Sequence, residues 1–498
     1  MGKILFAKRI SILTVGLCVA ALAVAQEFTV GNIKYRVLDA TAKTVRITDG
    51  KSTTGDITIP STVTEGGVTY TVKEIGFKAF ENNRNITSVE IPSSIDSIGE
   101  YAFYECEEVT EYTLNNGLKI IGLGAFASAK KITSFKIPAS VVNIGVHAFL
   151  FCEELTRFVV DPANTVYVAE DGILYNKDKS ELIKFPTAKN LSTYTMPNSV
   201  KIAKIGAMEG CGKIENIVFS ENLDAIEEAA FMNCLRIEKV DLPAKLTTIG
   251  QQAFASCLKL HTVNIPASVK KIESGSFYMS GRLQNINVDP ANTEYLSEDG
   301  ILFNKSKTSL ITYPSGKQED TYKVPSTVTS IENRAFISTL ALHNVDLPAS
   351  LTKINTAAFF GCSKLQEIIC RAAVPPALAN SVFGGGVVVS KVVLKVPTSA
   401  IAAYKAADVW KNFKIEGADL SFCSPVEQDK YEVYPTYTEG TVFVVADREG
   451  KATVYNTLGQ MVKTTSLQQG ENSIDLSSQP TGNYVLVVGN KTFKIIKR

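Results

Sequence analysis

The sequence predicts a mainly β repeat solenoid, made of 23-residue coils with short helical or 3₁₀ turns and followed by a separate C-terminal β-sandwich. Three observations predict it. An aromatic or Met preceded by a small residue recurs every 23 residues, at Phe80, Phe103, Phe126 and Phe149, at Met208, Phe231, Phe254 and Phe277, and at Phe336 and Phe359. The two steps that break this period, Phe149 to Met208 and Phe277 to Phe336, are of equal length, and the 36-residue stretches they add resemble each other. Past Ser424-Pro425 the repeat stops, and short β-prone runs alternate with Gly-containing turns.

In chain order, residues 1–25 read as a signal peptide. Lys3, Lys8 and Arg9 precede the apolar run Ile10 to Ala23, and Ala23-Val24-Ala25 fits a small-x-small cleavage site. Lipoprotein processing at Cys18 is the weaker alternative, because Leu17 stands where a small residue is wanted. No other apolar stretch approaches the roughly 20 residues that span a bilayer, so no membrane span is expected after signal removal. Residues 26–75 hold the alternation Phe28, Val30, Ile33, Tyr35 and Val37 and a Gly66-Gly67 hairpin, and are expected to cap the first coil.

Residues 76–369 are the repeats. The best copies run Ile226-Glu227-Glu228-Ala229-Ala230-Phe231 to Cys234, and on to a strand that ends at Leu242-Pro243 or, one coil later, Ile265-Pro266. Proline has no N–H to give to a ladder, so it ends the strand and turns the chain. The core pattern L-x-x-L-x-L, read at Leu155, Phe158, Val160 and at Leu260, Val263, Ile265, is that of leucine-rich repeats. Alternate strand residues face opposite sides, so each coil has a fixed interior and a variable exterior.

The 36-residue inserts lie near 160–195 and 288–323, offset by 128 residues. Asp171-Gly172 and Asp299-Gly300 within them read as tight turns with positive φ. Calcium is the sharper alternative there, but one or two carboxylates fall short of the six to eight oxygens it takes. Residues 370–418 change texture, with Pro375-Pro376, Gly384-Gly385-Gly386, a strand at Val392 to Val396 and an amphipathic stretch at Ala400 to Trp410, and read as the other cap. Residues 425–498 read as the compact sandwich, a sorting or attachment domain.

Charge and chemistry exclude several classes of function. Lys plus Arg number 51 against 50 for Asp plus Glu, so nothing points to nucleic acid. Of the nine cysteines, Cys106, Cys152, Cys211, Cys234, Cys257 and Cys362 share the column three residues after the aromatic, where Asn83, Ala129, Ser280 and Thr339 also stand. That column asks for a small side chain, and free buried thiols acting as small hydrophobes are expected, with disulfides between neighbouring coils as the alternative. The column offers neither His nor carboxylate for zinc. The three histidines, His147, His261 and His343, form no nucleophile constellation, and no catalytic residue, metal or cofactor is expected. Paired-acid glycosidase chemistry leaves no local mark to argue from.

A binding surface is found by subtraction, at the outward positions flanking each inward strand residue. The candidates are Arg157, Asn216, Lys239, Asp241, Thr262, Asn264, Asn285, Asn287, Asn344 and Asp346. At about 4.8 Å per strand, an uninterrupted concave face of ten coils would be on the order of 45 Å long. Such a face suits a protein or an extended glycan. A spacer at the envelope and a glycan-binding part of a nutrient-capture system are the rival readings, the latter weakened by the lack of aromatics in these columns.

The repeat Ile-Gly-x-x-Ala-Phe-x-x-Cys-x-x-Leu-x-x-Val-x-Ile-Pro, the Asp-Gly-Ile-Leu-Tyr-Asn insert and Trp410-Lys411-Asn412-Phe413 together resemble the BspA-type leucine-rich repeat family of bacterial surface proteins. The resemblance implies exported, non-catalytic recognition, as in adhesion. The tail resembles the type A sorting domain of type IX secretion through Val433-Tyr434-Pro435, Val454-Tyr455-Asn456-Thr457-Leu458-Gly459, Gly482-Asn483-Tyr484-Val485-Leu486 and the basic end Lys494, Lys497, Arg498. It departs at Thr436-Tyr437, where that family has Asn-Pro. This likeness implies export followed by surface attachment or release.

Overall fold

The computed structural model describes residues 26–420, 431–446, 449–488 and 491–498. The signal peptide and the Ser424-Pro425 boundary lie outside the described residues. The chain forms the expected β solenoid with a C-terminal pair of sheets, and the one α-helix among the described residues is the short Ile401–Ala406. Each regular coil contributes two strands rather than one. The main strand, such as Thr262–Ile265, pairs in parallel with Lys239–Asp241 and Asn285–Val288. A two-residue strand, such as Thr248–Ile249, pairs in parallel with Ala225–Ile226 and Lys271–Ile272.

The segment carrying the aromatic forms a third ladder and is not the helical or 3₁₀ turn that was expected. Residues two before and two after the aromatic have positive φ, as at Tyr101 and Glu105 around Phe103, or Gln252 and Ser256 around Phe254. A right-handed helix cannot include such residues. Alternate amides bond locally, Tyr104 N–H to Tyr101 O at 3.1 Å, while the others cross to the next coil, Phe103 N–H to Ala125 O at 2.8 Å. In a coil such as that of Phe254 all three faces are thereby hydrogen-bonded to the neighbouring coil, as buried backbone requires.

The aromatic column is the interior spine. Phe80, Phe103, Phe126, Phe231, Phe254, Phe336 and Phe359 are fully buried. Successive rings stack, Phe103 on Phe126 at 5.7 Å and 1°, Phe336 on Phe359 at 4.7 Å and 11°. Phe383 continues the stack at 5.6 Å from Phe359. The seven described cysteines are buried and free of disulfides. Their role is more polar than that of small hydrophobes, for each column thiol reaches the preceding coil's aromatic carbonyl. Cys106 Sγ lies 3.1 Å from Phe80 O and Cys234 Sγ 3.3 Å from Met208 O. Ser280 Oγ does the same to Phe254 O at 3.1 Å, which explains why the column accepts serine.

Each insert proves to be one coil lengthened to 36 residues, since Phe185 and Tyr313 stand in the spine between their neighbours. The extra length is a hairpin, Tyr167–Glu170 with Ile173–Asn176, closed by Asp171 and Gly172 at φ 49° and 76°. Its copy is Tyr295–Glu298 with Ile301–Asn304, closed by Asp299 and Gly300. The inner strand of each hairpin is buried on both sides. Leu174 packs into the core of the preceding coils, whereas Ile173 and Tyr175 pack into that of the following coils. Leu302, Ile301 and Phe303 repeat this division. The solenoid interior is thus three cores separated by two transverse strands. Hydroxyls close the interrupted short-strand ladder, Tyr167 Oη accepting from Ile144 N–H at 3.0 Å and Tyr295 Oη from Ile272 N–H at 2.9 Å.

Before the first spine residue, Glu27–Val30, Ile33–Asp39 and Thr44–Asp49 pair antiparallel, and Thr44–Asp49 joins Val68–Ile75 at the start of the short-strand sheet. At the other end Val393–Pro397 and Lys414–Ala418 extend the main sheet, with Trp410 and Tyr404 fully buried beneath. The C-terminal strands form two sheets around a separate core that includes Val444, Val454, Ile474 and Leu486. Lys497, in the basic end, is buried there and donates to Ser477 O at 2.8 Å.

Candidate binding face

Alternation along each main strand decides which side chains reach solvent. In Lys239–Asp241 the middle residue Val240 is 1% exposed, and the flanking pair is open. Arg157, Asn216, Asn285 and Asn287 are likewise exposed, and Thr262, Asn264, Asn344 and Asp346 half-buried. Every predicted candidate therefore lies on the outer side of the main sheet.

Parallel register brings some of them together. Asp241, Asn264 and Asn287 are partners across three strands, and Asn287 Nδ2 donates to Asn264 Oδ1 at 2.8 Å. Lys239 Nζ sits 2.9 Å from Asp241 Oδ2. Partial burial opposes ionisation of Asp241, but hydrogen bonds from Lys239 and Asn264 and the ammonium's attraction outweigh it and hold the carboxyl below its ordinary value. Farther along, Arg371 grips Asp346 with two bonds of 2.7 and 2.8 Å, and Asn344 donates to Asp320 at 3.1 Å. His343 lies beside the same Asp320 at 2.6 Å, and His261 Nδ1 lies 3.1 Å from the Thr262 hydroxyl, both near the face.

Arg157 and Asn285 are set apart from the residues that follow them. The main-sheet ladder stops at Arg157–Val160, where Phe158 N–H donates to Gly172 O at 2.8 Å, and resumes only at Thr193–Thr195. It stops again at Asn285–Val288, where Ile286 N–H donates to Gly300 O at 2.9 Å. A Cβ on Gly172 would lie 2.7 Å from Arg157 Cβ, so the hairpin tip rests directly on the sheet. The hairpins consequently divide the face into three panels rather than one run of ten strands, and the hydrogen-bonded ladder breaks again within two of them, between Glu111–Leu114 and Ser134–Ile137 and between Asn216–Val218 and Lys239–Asp241.

Sequence reasoning missed several strands of this face. Gly55–Thr58, Thr193–Thr195 and Thr321–Lys323 belong to it, presenting Asp56, Thr193, Thr195 and Lys323. The signal was available in Ile57-Thr58-Ile59-Pro60, Tyr194-Thr195-Met196-Pro197 and Tyr322-Lys323-Val324-Pro325, which repeat the proline-ended strand. Among the described residues no group of three or more His, Cys, Asp or Glu is placed to hold a metal ion, and no helix is long and apolar enough to cross a membrane.

Comparison with known proteins gives the repeats their family. Residues 73–189, 184–308 and 316–395 match the BspA type leucine rich repeat region, and residues 432–498 match a secretion system C-terminal sorting domain. No curated protein matches the sequence. Among solved structures, a leucine rich cell surface protein from Faecalibacterium prausnitzii is 25% identical over 79% of this chain and 95% of its own, with a TM-score of 0.40. A leucine-rich repeat protein from Eubacterium ventriosum is 21% identical over 72% and 94%, at 0.45. Another from Bacteroides ovatus is 21% identical over 78% and 99%, at 0.39. With the repeat matches covering well over half its length and a sorting domain at its C-terminus, the chain belongs to the BspA-type leucine-rich repeat family and is exported, to the cell surface or beyond it.

Proposed function

We propose that the protein is a non-catalytic, adhesin-like recognition protein that binds a protein or extended glycan through the outer side of its main sheet. The observation that supports this reading is the in-register row Asp241, Asn264 and Asn287 flanked by Lys239, Thr262 and Asn285, a polar patch on three adjacent strands. Repetition at strand spacing, about 4.8 Å, lets weak contacts add, which is how a shallow polar face gains affinity without a pocket. The panel between the two hairpins is the natural footprint. On this reading residues 26–75 and 370–418 cap the solenoid, and 425–498 serves sorting or attachment. The test compares the mature protein with a variant carrying Ala at 239, 241, 262, 264, 285 and 287 on arrays of matrix proteins and glycans. Selective capture lost in the variant supports the proposal, and equal capture by both defeats it.

A spacer role has an observation of its own. Asp241, Asn264 and Asn287 spend hydrogen bonds on one another, which stiffens the sheet and leaves fewer groups for a partner. Failure of either protein to capture anything would favour it.

A further inference from the structure

Between the two hairpins, the turn that leads from the spine segment to the main strand carries a row of bases. Five residues after the spine residue stand Lys213, Arg236, Lys259 and Arg282, one in each of four successive coils, and all four are exposed. Their turns are held in a stack by the ladder of the spine, Gly210 N–H donating to Met232 O, Asn233 N–H to Ala255 O and Ser256 N–H to Tyr278 O, each at 2.9 Å. At about 4.8 Å per coil the row is on the order of 14 Å long. Lys189 continues it into the coil before, since Lys213 Nζ donates to the adjoining Ala188 O at 3.1 Å.

Two carboxylates oppose the four bases. Glu215 lies 3.3 Å from Arg236 and Glu238 lies 3.9 Å from Lys259, in pairs whose side chains are all open to solvent. Exposed pairs of this kind hold weakly and exchange readily. Among the described residues no carboxylate lies within ion-pair distance of Lys213 or Arg282. The row therefore has positive charge to spare, in a chain whose formal net charge is only +1.

The fold does not require bases at this position. In the first four coils it holds Asn85, Glu108, Lys131 and Glu154. Acids and bases alternate along that corner and neutralise one another, Lys131 pairing with Glu108, and Lys130 with Glu107 at 3.1 Å and Glu153 at 4.0 Å. Beyond the second hairpin the same position holds Ala341 and Lys364. Four consecutive bases belong to the middle panel alone.

We propose that this row binds a linear anionic polysaccharide. Its sulfate or carboxylate groups meet Lys213, Arg236, Lys259 and Arg282, the guanidinium forks matching such planar or multi-oxygen anions, and its hydroxyls meet Glu215, Glu238, His261 and Gln284 alongside. Charges repeated at coil spacing suit a polymer, because each weak contact raises the effective concentration for the next. Leu235 and Leu258, 42% and 51% exposed, stand next to Arg236 and Lys259 and offer apolar contact to the C–H faces of sugar rings. A DNA backbone or an anionic lipid surface would set like charge against Glu215 and Glu238 with few hydroxyls to offer them, and the row has no Phe, Tyr or Trp on which bases could stack. The row lies beside the outer side of the main sheet, and its binding does not depend on that side having a partner.

The test measures binding of the mature protein to heparin as the sulfated probe, polygalacturonate as the carboxylate probe, neutral dextran, single-stranded oligothymidylate, and phosphatidylcholine vesicles containing phosphatidylglycerol. Two variants accompany it, Lys213→Gln/Arg236→Gln/Lys259→Gln/Arg282→Gln and, as the control from the balanced corner, Lys130→Gln/Lys131→Gln. The expected result is micromolar binding of heparin or polygalacturonate, at least tenfold stronger than binding of the other three probes. The fourfold variant should weaken it at least tenfold at an unchanged melting temperature, as should a rise in salt from about 50 to 200 mM, while the control variant binds as the parent does. The variant with six alanines on the main sheet, whose row is intact, should also bind as the parent does, which separates this site from that face. No binding of either anionic glycan would overturn the proposal, as would equal binding by the fourfold variant or equal loss in the control. Tighter binding of the oligonucleotide or the vesicles would assign the row to another polyanion and overturn it too.

Discussion

Asn264 donates from Nδ2 to Asp241 Oδ1 at 2.5 Å, across two parallel strands whose Cα atoms are in register. Because Asp241 is held ionised by this bond and by Lys239, its share of stability is present above the unfolded-state pKa and is lost as pH falls through the lower folded value. The variant Asn264→Ala should raise the Asp241 pKa toward its ordinary value, as read by carboxyl NMR titration. The cost in stability should stay below about 1 kcal/mol, since the pair is largely solvated.

Phe231 stacks on Phe254 at 5.1 Å and lies in the middle core. Phe231→Ala should cost about 3–5 kcal/mol, from lost transfer energy and the cavity left behind. Hydrogen exchange should show the loss of protection concentrated between the two transverse strands, with the core of Val345 and Phe359 retaining its own.

The buried thiols make an alkaline prediction. Burial pushes Cys106, Cys152, Cys211, Cys257 and Cys362 from an ordinary value near 9 up to about 12. The unfolded chain releases these protons first, so stability is full below pH 9 and declines as pH rises toward 12. Each thiol contributes a slope of about 1.4 kcal/mol per pH unit within that window. Urea titrations at rising pH would read it, and a thiol reagent at neutral pH should label these residues only after unfolding.

Gly172 carries φ 76° and rests on Arg157. Gly172→Ala adds a methyl group where the Arg157 Cβ would be 2.7 Å away, in a backbone conformation unfavourable to side chains. A loss of about 1–3 kcal/mol is expected, measured by denaturant melting, with Gly31→Ala as the comparison because its Cβ would meet nothing within 4 Å.

The spine and the main strands were legible because period and alternation are set by geometry that every coil shares. Phe80 to Phe359 could be placed inside from spacing alone, and the outward placement of Lys239 and Asn264 followed from one-residue alternation. The third ladder was not legible, because its left-handed residues are of many types, among them Tyr101, Gln252, Arg334 and Gly206. The transverse strands were hidden for a different reason. Ile173-Leu174-Tyr175 reads as an ordinary β run, and only packing reveals that its two sides belong to different cores.

Ile173–Asn176 and Ile301–Asn304 work like bulkheads in a hull. Each shows one wall to the compartment before it and another to the compartment after, and the two bulkheads are built alike. A recombination that joined the chain at equivalent points of the two hairpins would delete or add a whole compartment and still present matching walls. The length of the solenoid could therefore change in large steps, with no side chain in the remaining compartments having to be chosen anew.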